Sequence, residues 1–372
     1  MINRDRLFSL FEQLCLINAP ALQEKESVAW TKKHLQAIGL EVWEDNAGQA
    51  IGGNANNLIA KLHGNKPGAD SIFLSAHFDT VEPTAGLEIG VRGDDYYSVS
   101  DTILGADDKA GMAPAIEAVQ CIMESDEPHG DVYLLLSCAE EIGLKGAFAL
   151  DIQSINVDYG YVFDTGPPVG SFVTRVGTYD KLTAKIFGKP AHAGKDPEHG
   201  ISAIHAAATA IAAMTLGRID EETTANVGLI SGGSALNVVP AQVVVNAESR
   251  SFSVEKLKKQ IDHMSDCFRM GAEKFGAKLE LDLVRNYSGY EVSSDAKVVT
   301  NALAAAKRIG FDFPLRATLG GSDANAYNLK GVPTIVCGTG MKEIHTHDEY
   351  VSKTDLVDMT RLAIELIRTA AQ

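Results

Sequence analysis

Histidines and carboxylates stand in this chain where apolar, strand-like runs end. Ser71-Ile-Phe-Leu-Ser-Ala-His77-Phe-Asp79, Val132-Tyr-Leu-Leu-Leu-Ser-Cys-Ala-Glu140-Glu141 and Tyr159-Gly-Tyr-Val-Phe-Asp164 share this layout, and Pro333-Thr-Ile-Val-Cys337 precedes His345 by a few residues. A fifth segment, Gly105-Ala-Asp107-Asp108-Lys-Ala-Gly111, sets two more carboxylates at the start of an apolar helical stretch. Imidazole and carboxylate without thiolate suit a pair of borderline-hard divalent ions, Zn²⁺ first, with Mn²⁺ or Co²⁺ as alternatives. In an open α/β sheet, polar groups that follow successive buried strands converge outside the strands' carboxyl ends. The pattern therefore predicts a metal site assembled from distant stretches of chain.

Taken singly, each segment also has an ordinary reading. His77 and Asp79, two apart in extended chain, point to one side, so Asp79 can hold the imidazole ring as carboxylates do for metal-bound histidines; a strand-end His followed by a helix-capping Asp is the plain alternative. One Asp of the Asp107-Asp108 pair could cap a helix, but two between glycines suggest a tight turn that pushes a carboxylate outward. Glu140-Glu141 is the strongest signal, because like charges side by side repel and call for a cation nearby. An acidic first turn of a following helix is its competitor. Asp164 could be a turn former, Glu349 a charge at a helix start, and either His345 or His347 could bind metal or stand solvated in a loop.

Those side chains must be positioned by a sizeable scaffold. The 372 residues are 45% hydrophobic, enough for large cores and two domains. Lys and Arg number 33 against 49 Asp and Glu, and the net charge of -16 argues against nucleic acid or an anionic membrane as partner. The start, Met1-Ile-Asn-Arg-Asp-Arg-Leu, has no long apolar segment behind it, so no signal peptide is expected, and the longest small-apolar stretch, Ala203 to Met214, is too short to span a bilayer. Cys15, Cys121, Cys138, Cys267 and Cys337 are scattered and form no C-x-x-C pair, which favours reduced core thiols in the cytosol.

Helical spacing of Leu7, Leu10, Phe11, Leu14 and Ile17 opens the chain, with a second helix around 28–35. Strands at 58–62, 72–76, 132–137 and 159–163 then alternate with a helix at 112–123, which predicts a mixed, largely parallel sheet flanked by helices. After Gly166-Pro-Pro-Val-Gly170 the rhythm becomes strand 182–187, helix 201–216, strands 225–230 and 243–248, helix 254–275 and strand 278–284. That βαββαβ order describes a ferredoxin-like unit. Helix 295–308, strands 315–318 and 334–336 and helix 353–369 resume the first pattern. The expected organisation is a metal-bearing domain of residues 1–170 and 289–372, with residues 171–288 inserted between hinges at the Gly/Pro clusters 166–170 and 286–290.

With these segments in order, the chain resembles the di-zinc exopeptidase family that includes tripeptidase T, the glutamate carboxypeptidases, succinyl-diaminopimelate desuccinylase and aminoacylase, and is most similar to its tripeptidase-T-like members. The resemblance runs through Ser-Ala-His77-Phe-Asp79-Thr, Leu-Gly-Ala-Asp107-Asp108-Lys-Ala-Gly, Ala-Glu140-Glu141-Ile-Gly, Phe-Asp164-Thr-Gly, Ala191-His192-Ala-Gly and His345-Thr-His347-Asp-Glu349-Tyr, nearly the whole chain. It implies that His77 and Asp164 hold one ion, Glu141 and His345 the other, and that Asp107 bridges both. Asp79 then supports a ligand and Glu140 is the general base. The family places its last ligand four residues before the glutamate, which selects His345 over His347. In the inserted domain, His192 resembles a lid histidine that polarises the scissile carbonyl, and Asn237 and Arg250 resemble residues that grip the substrate's terminal carboxylate. The double proline after Phe163-Asp164-Thr-Gly departs from some relatives.

The resemblance thus implies hydrolysis of a peptide bond in short peptides by two-metal activated water, in a cytoplasmic homodimer joined through the lid domain. Two competing expectations are an amidohydrolase that deacylates N-acyl amino acids and a non-catalytic metal- or peptide-binding protein. An intact Glu140 beside intact ligands counts against the latter. There is no G-x-S-x-G, and Ser231-Gly-Gly233 and Leu319-Gly-Gly321 lack the Lys-Ser/Thr of a phosphate-binding loop, so those glycines read as turns.

Overall fold

The structure, a computed structural model, describes residues 1–372. The chain divides into two compact units, Met1–Arg175 with Tyr290–Gln372, and Val176–Gly289. The chain passes from one to the other at 175/176 and 289/290, so the Gly166–Gly170 cluster lies wholly inside the first unit.

The first unit is built on a sheet whose strands run in the order Glu41–Glu44, Leu58–Leu62, Val132–Ser137, Ile72–His77, Tyr159–Thr165, Thr334–Gly338, Phe172–Val176, Tyr290–Glu291, with Arg316–Thr318 also paired to Phe172–Val176. The four middle strands are mutually parallel, and the outer pairings of known register are antiparallel. Strands buried on both faces read as continuous apolar runs. Accordingly every residue of Ile72–His77 and of Val132–Ser137 is buried. Helix Ala106–Ser125 is buried along most of its length, which explains its Ala-rich sequence: small side chains let it pack closely against the sheet. Helices Arg4–Leu16, Lys297–Arg308 and Lys353–Ala370 are instead amphipathic. Leu7, Leu10, Phe11, Leu14 and Cys15 form the buried stripe of the first, and Asn3 caps its N-terminus by accepting from Arg6 N.

Because the middle strands run the same way, His77, the segment after Ser137, Asp164 and the segment after Gly338 all leave the sheet at the same end. A separate small sheet joins Ile89–Arg92 and Asp95–Ser98 to Tyr350–Ser352, the strand that follows the loop carrying His345 and His347.

The second unit is an antiparallel sheet in the order Gly217–Arg218, Thr223–Gly232, Gln242–Ser251, Thr178–Phe187, Lys278–Tyr287. Apart from the two-residue outer strand, this is the ferredoxin-like arrangement. Leu182, Ala184 and Ile186 alternate with outward residues, as do Val243, Val245 and Ala247, and this inner face packs with helices Ala203–Ala212 and Val254–Phe275. Helix Val254–Phe275 is delimited by Ser253, which accepts from Lys256 N, and by Gly276 at φ 70°. All five cysteines are buried and free, and no helix is long and apolar enough to cross a membrane.

Candidate functional site

His77 ends its strand almost completely buried. Its Nδ1–H donates to the backbone carbonyl of Asp79 at 2.8 Å, with Asp79 Oδ1 at 3.4 Å. Nε2 is thereby directed to Asp107 Oδ1 at 3.2 Å and Asp164 Oδ1 at 4.0 Å. Burial alone would push the ring's pKa down, but the bonds to Asp107 and Asp79 prevail and hold it well above the usual histidine range.

Asp79 serves a second purpose that the sequence pattern did not disclose. Its Oδ1 accepts from Glu140 N at 2.9 Å and its Oδ2 from Glu141 N at 3.0 Å. One residue therefore holds both, the His77 ring through its backbone carbonyl and the glutamate pair of the neighbouring strand through its carboxylate.

Asp107 presents its two oxygens to two imidazoles, Oδ1 to His77 and Oδ2 to His345 Nε2 at 3.2 Å. Its burial would raise its pKa, yet hydrogen bonds from His345 and His77 leave it well below the usual carboxylate range. The backbone around it is held by Glu349, fully buried, whose Oε1 accepts from Asp107 N at 3.0 Å and Oε2 from Gly105 N at 2.6 Å. Burial pushes that glutamic acid up to about 7. Glu349 is thus a support for the Asp107 turn rather than a simple helix-start charge. Asp108 turns inward, with Oδ2 accepting from His77 N at 3.3 Å, and Lys109 donates to the Phe78 carbonyl.

His345, in left-handed backbone at φ 64°, brings Nε2 to 2.9 Å from Glu141 Oε1. Its bonds to Asp107 and Glu141 raise its pKa to about 10. His347 points elsewhere, with Nδ1 3.4 Å from Asp101 Oδ1. The result is two groups whose ligand atoms lie close enough to hold an ion each, His77–Asp107–Asp164 and Asp107–Glu141–His345, sharing Asp107. This nitrogen- and oxygen-rich donor set fits borderline-hard divalent cations.

Glu140 and Asp164 are the excess acids of the site. Burial raises both well above the carboxylate range; His77 opposes this at each. Glu140 belongs to neither ligand group although it lies among them. Sequence reasoning missed Asp323, two residues past the Leu319-Gly-Gly321 glycines read as a turn: it is buried, accepts from Ser137 Oγ, leaves Oδ1 without a partner and is pushed by burial to about 6. Two glycines followed by Ser-Asp carried no metal-ligand spacing that would have singled it out.

The second unit carries His192, Asn237 and Arg250. His192 is exposed; its Nδ1 accepts from Gly194 N at 3.1 Å, and its backbone bridges to Val238, with Ala193 N donating to the Asn237 carbonyl at 2.9 Å. These two residues therefore sit side by side on paired segments. Arg250 forms a fork with Glu248, at 3.2 and 3.0 Å, and lies over the Tyr179 ring.

A parallel sheet that delivers imidazoles and carboxylates to one rim, with a buried acid left outside the ligand groups, has the makings of a hydrolase site. The comparisons make the class definite. The model of peptidase family M20/M25/M40 matches residues 73–369, and the chain belongs to that family. It is similar to a tripeptidase from Staphylococcus aureus subsp. aureus Mu50, with a TM-score of 0.93 and 36% identity over 100% of this chain and 99% of that one. It is also similar to aminopeptidase PepT from Bacillus cereus ATCC 10987, with a TM-score of 0.88 and 38% identity over 100% of both chains. The Bacillus subtilis (strain 168) protein YqjE is 38% identical over the full length of both chains. The family resemblance read from the ordered motifs is borne out, as is the mixed α/β fold, and the chain is a peptide hydrolase by family.

Proposed function

We propose that the chain is a tripeptidase-like aminopeptidase acting on short peptides with two divalent metal ions, Zn²⁺ first. The observation that carries this reading is Asp107, which offers one oxygen to each of two imidazoles while Glu140 stands buried beside both groups without joining either. The relatives named as a tripeptidase and an aminopeptidase support the substrate class. His77 and Asp164 would hold one ion, Glu141 and His345 the other, with Asp107 between them. When bound, such a pair supplies Lewis acidity that acidifies water and withdraws charge from a carbonyl.

The chain's own residues do the rest. Asp79 holds the His77 segment and the Glu140–Glu141 backbone in register. Glu140 takes a proton from water on its carboxylate and returns it to the leaving amine nitrogen. In the second unit, His192 donates to the carbonyl oxygen, and Asn237 and Arg250 bind the peptide's carboxylate, for which Arg250 must exchange its fork with Glu248. Incubating purified protein, supplied with Zn²⁺, Mn²⁺ or Co²⁺, with di-, tri- and N-acylated peptides blocked at either end tests the assignment. Cleavage of tripeptides that requires a free amino terminus supports it; preference for acylated amino acids would replace it with a deacylase.

Two further outcomes follow from the geometry. His345→Ala should weaken metal binding by more than about a hundredfold, whereas His347→Ala should change it little, because only His345 reaches Asp107 and Glu141. Equal, small losses of bound metal in both would remove His345 as a ligand.

Metal binding should also release protons. In the metal-free protein His345 is raised to about 10 by Asp107 and Glu141, so at neutral pH it carries a proton that a cation must displace, and the surroundings of His77 and Asp164 also hold both above their usual ranges. Asp107, held low, contributes none. Apparent affinity should therefore rise with pH between 6 and 8, with about one proton or more released per chain when both ions bind. Titration calorimetry in buffers of different ionisation heat measures this, and pH-independent affinity would contradict it.

A further inference from the structure

The segment that carries Glu140 and Glu141 is held by an unusual run of side chains. Four successive backbone N–H groups each donate to a side-chain oxygen from elsewhere: Cys138 N to Asn57 Oδ1 at 3.0 Å, Ala139 N to Glu24 Oε1 at 2.9 Å, and Glu140 N and Glu141 N to the two oxygens of Asp79 at 2.9 and 3.0 Å. Asn57 is itself fixed, donating to Asp45 Oδ2 at 2.7 Å and to the Gly146 carbonyl at 2.9 Å.

Glu24 stands out among these. It occupies the position that caps helix Lys25–Ala37, yet its side chain makes no capping bond to that helix. It is fully buried and turns away, so that Oε1 accepts from both Leu22 N, at 2.9 Å, and Ala139 N. Those two residues are left-handed, at φ 70° and φ 55°, a region that leucine and alanine avoid unless surrounding bonds compel them. A buried carboxyl that forgoes capping, leaves Oε2 without a partner and sustains two strained residues has a cost that packing alone does not explain.

We propose that Glu24 is a positioning residue for the glutamate pair: by clamping Ala139 in left-handed backbone it sets the direction in which Glu140 leaves the strand. The inference rests on the reading of Glu140 as the proton-transferring group. Asp79 restrains the amides of Glu140 and Glu141, whereas that of Ala139 is bonded by Glu24. Without Glu24, Ala139 relaxes toward ordinary backbone and the following peptide rotates, which displaces the Glu140 carboxylate while Glu141 stays tied. A displacement of about 1 Å suffices to slow a positioned reaction on the order of a hundredfold.

The test compares Glu24→Gln, which keeps the Oε1 acceptor, with Glu24→Met, which fills similar space without one. Glu24→Met should lose about 10- to 100-fold in kcat with KM changed less than about twofold and metal content retained, and Glu24→Gln should stay near wild type. Glu24→Asp, which withdraws the oxygen by one methylene, gives the same comparison if the Met protein does not fold. Independently of activity, amide hydrogen exchange across residues 138–141 of the metal-free protein should accelerate in the Met or Asp variant and not in Gln. A merely structural role would lower the melting temperature and leave kcat unchanged. Wild-type kcat and exchange in the Met and Asp proteins, alongside an inactive Glu140→Ala, would overturn this inference and leave the proposed function standing. A fully active Glu140→Ala would overturn the function instead, and the exchange measurement would still decide whether Glu24 clamps the segment.

Discussion

Glu140→Ala is expected to lower kcat by about a thousandfold or more while the protein still binds two divalent ions, and Glu141→Ala to lose metal. The two residues are adjacent and their amides share one carboxylate, so neighbourhood alone cannot separate them. Their side chains do. Glu141 Oε1 meets His345 Nε2 within a ligand group, whereas Glu140 is in neither group. Burial, opposed by His77 and reinforced by Asp323 and Glu141, raises the Glu140 pKa well above the usual carboxylate range in the metal-free protein. Cations in the flanking ligand groups would draw it back toward the range in which a group can both accept and return a proton near neutral pH. A general base contributes about 10²- to 10⁴-fold, which sets the expected loss. Metal analysis of dialysed protein beside turnover of a tripeptide measures both quantities. The reverse pattern, with Glu140→Ala losing metal and Glu141→Ala losing only turnover, would exchange the two roles.

Much of this architecture was legible because strand burial and ligand position are both local. A strand buried on both faces reads as an unbroken apolar run, and the polar residue that ends it is conspicuous, as at His77, Glu140 and Asp164. The inserted unit was legible for a different reason: period-two alternation in 178–187 and 242–251, and a long amphipathic helix bounded by Ser253 and Gly276, are visible without tertiary information. What escaped notice depends on contacts distant in sequence. Glu24 looks like one more charge at a helix start, Asn57 like a turn residue, and Asp323 like part of a glycine loop; each acquires meaning only through a partner at Ala139, Cys138 or Ser137. Asp79 was read as holding the His77 ring, but the sequence could not show that its backbone carbonyl makes the shorter bond and frees the carboxylate for the glutamate amides. The small sheet of Ile89–Arg92, Asp95–Ser98 and Tyr350–Ser352 was missed because its strands are only three or four residues long and mostly half-buried, so burial imposes little alternating pattern on them.

His192→Ala should reduce turnover by about 10²- to 10³-fold with metal content unchanged, the loss expected when one donor to a developing oxyanion is removed. The more discriminating experiment asks which chain supplies that donor. In the second unit the outer strand Gly217–Arg218 covers only Thr224 and Ala225 of the next strand, so Val227–Gly232 forms an open edge with Leu229 and Ile230 exposed. Open edges invite pairing, and joining two copies about a twofold axis covers both at once. Our expectation is a homodimer formed through this unit in which His192 serves the partner's metal groups. His192→Ala and Glu140→Ala would each be nearly inactive alone. If His192 acts in trans, a mixed dimer has one site with both defects and one with neither, so subunit exchange between the two inactive proteins should restore up to about half the wild-type activity per mixed dimer. If it acts in cis, every site retains one defect and mixing restores nothing. Differently tagged subunits establish that mixed dimers have formed; no recovery among them would assign His192 to its own chain, and a monomer at all concentrations would remove the shared site altogether.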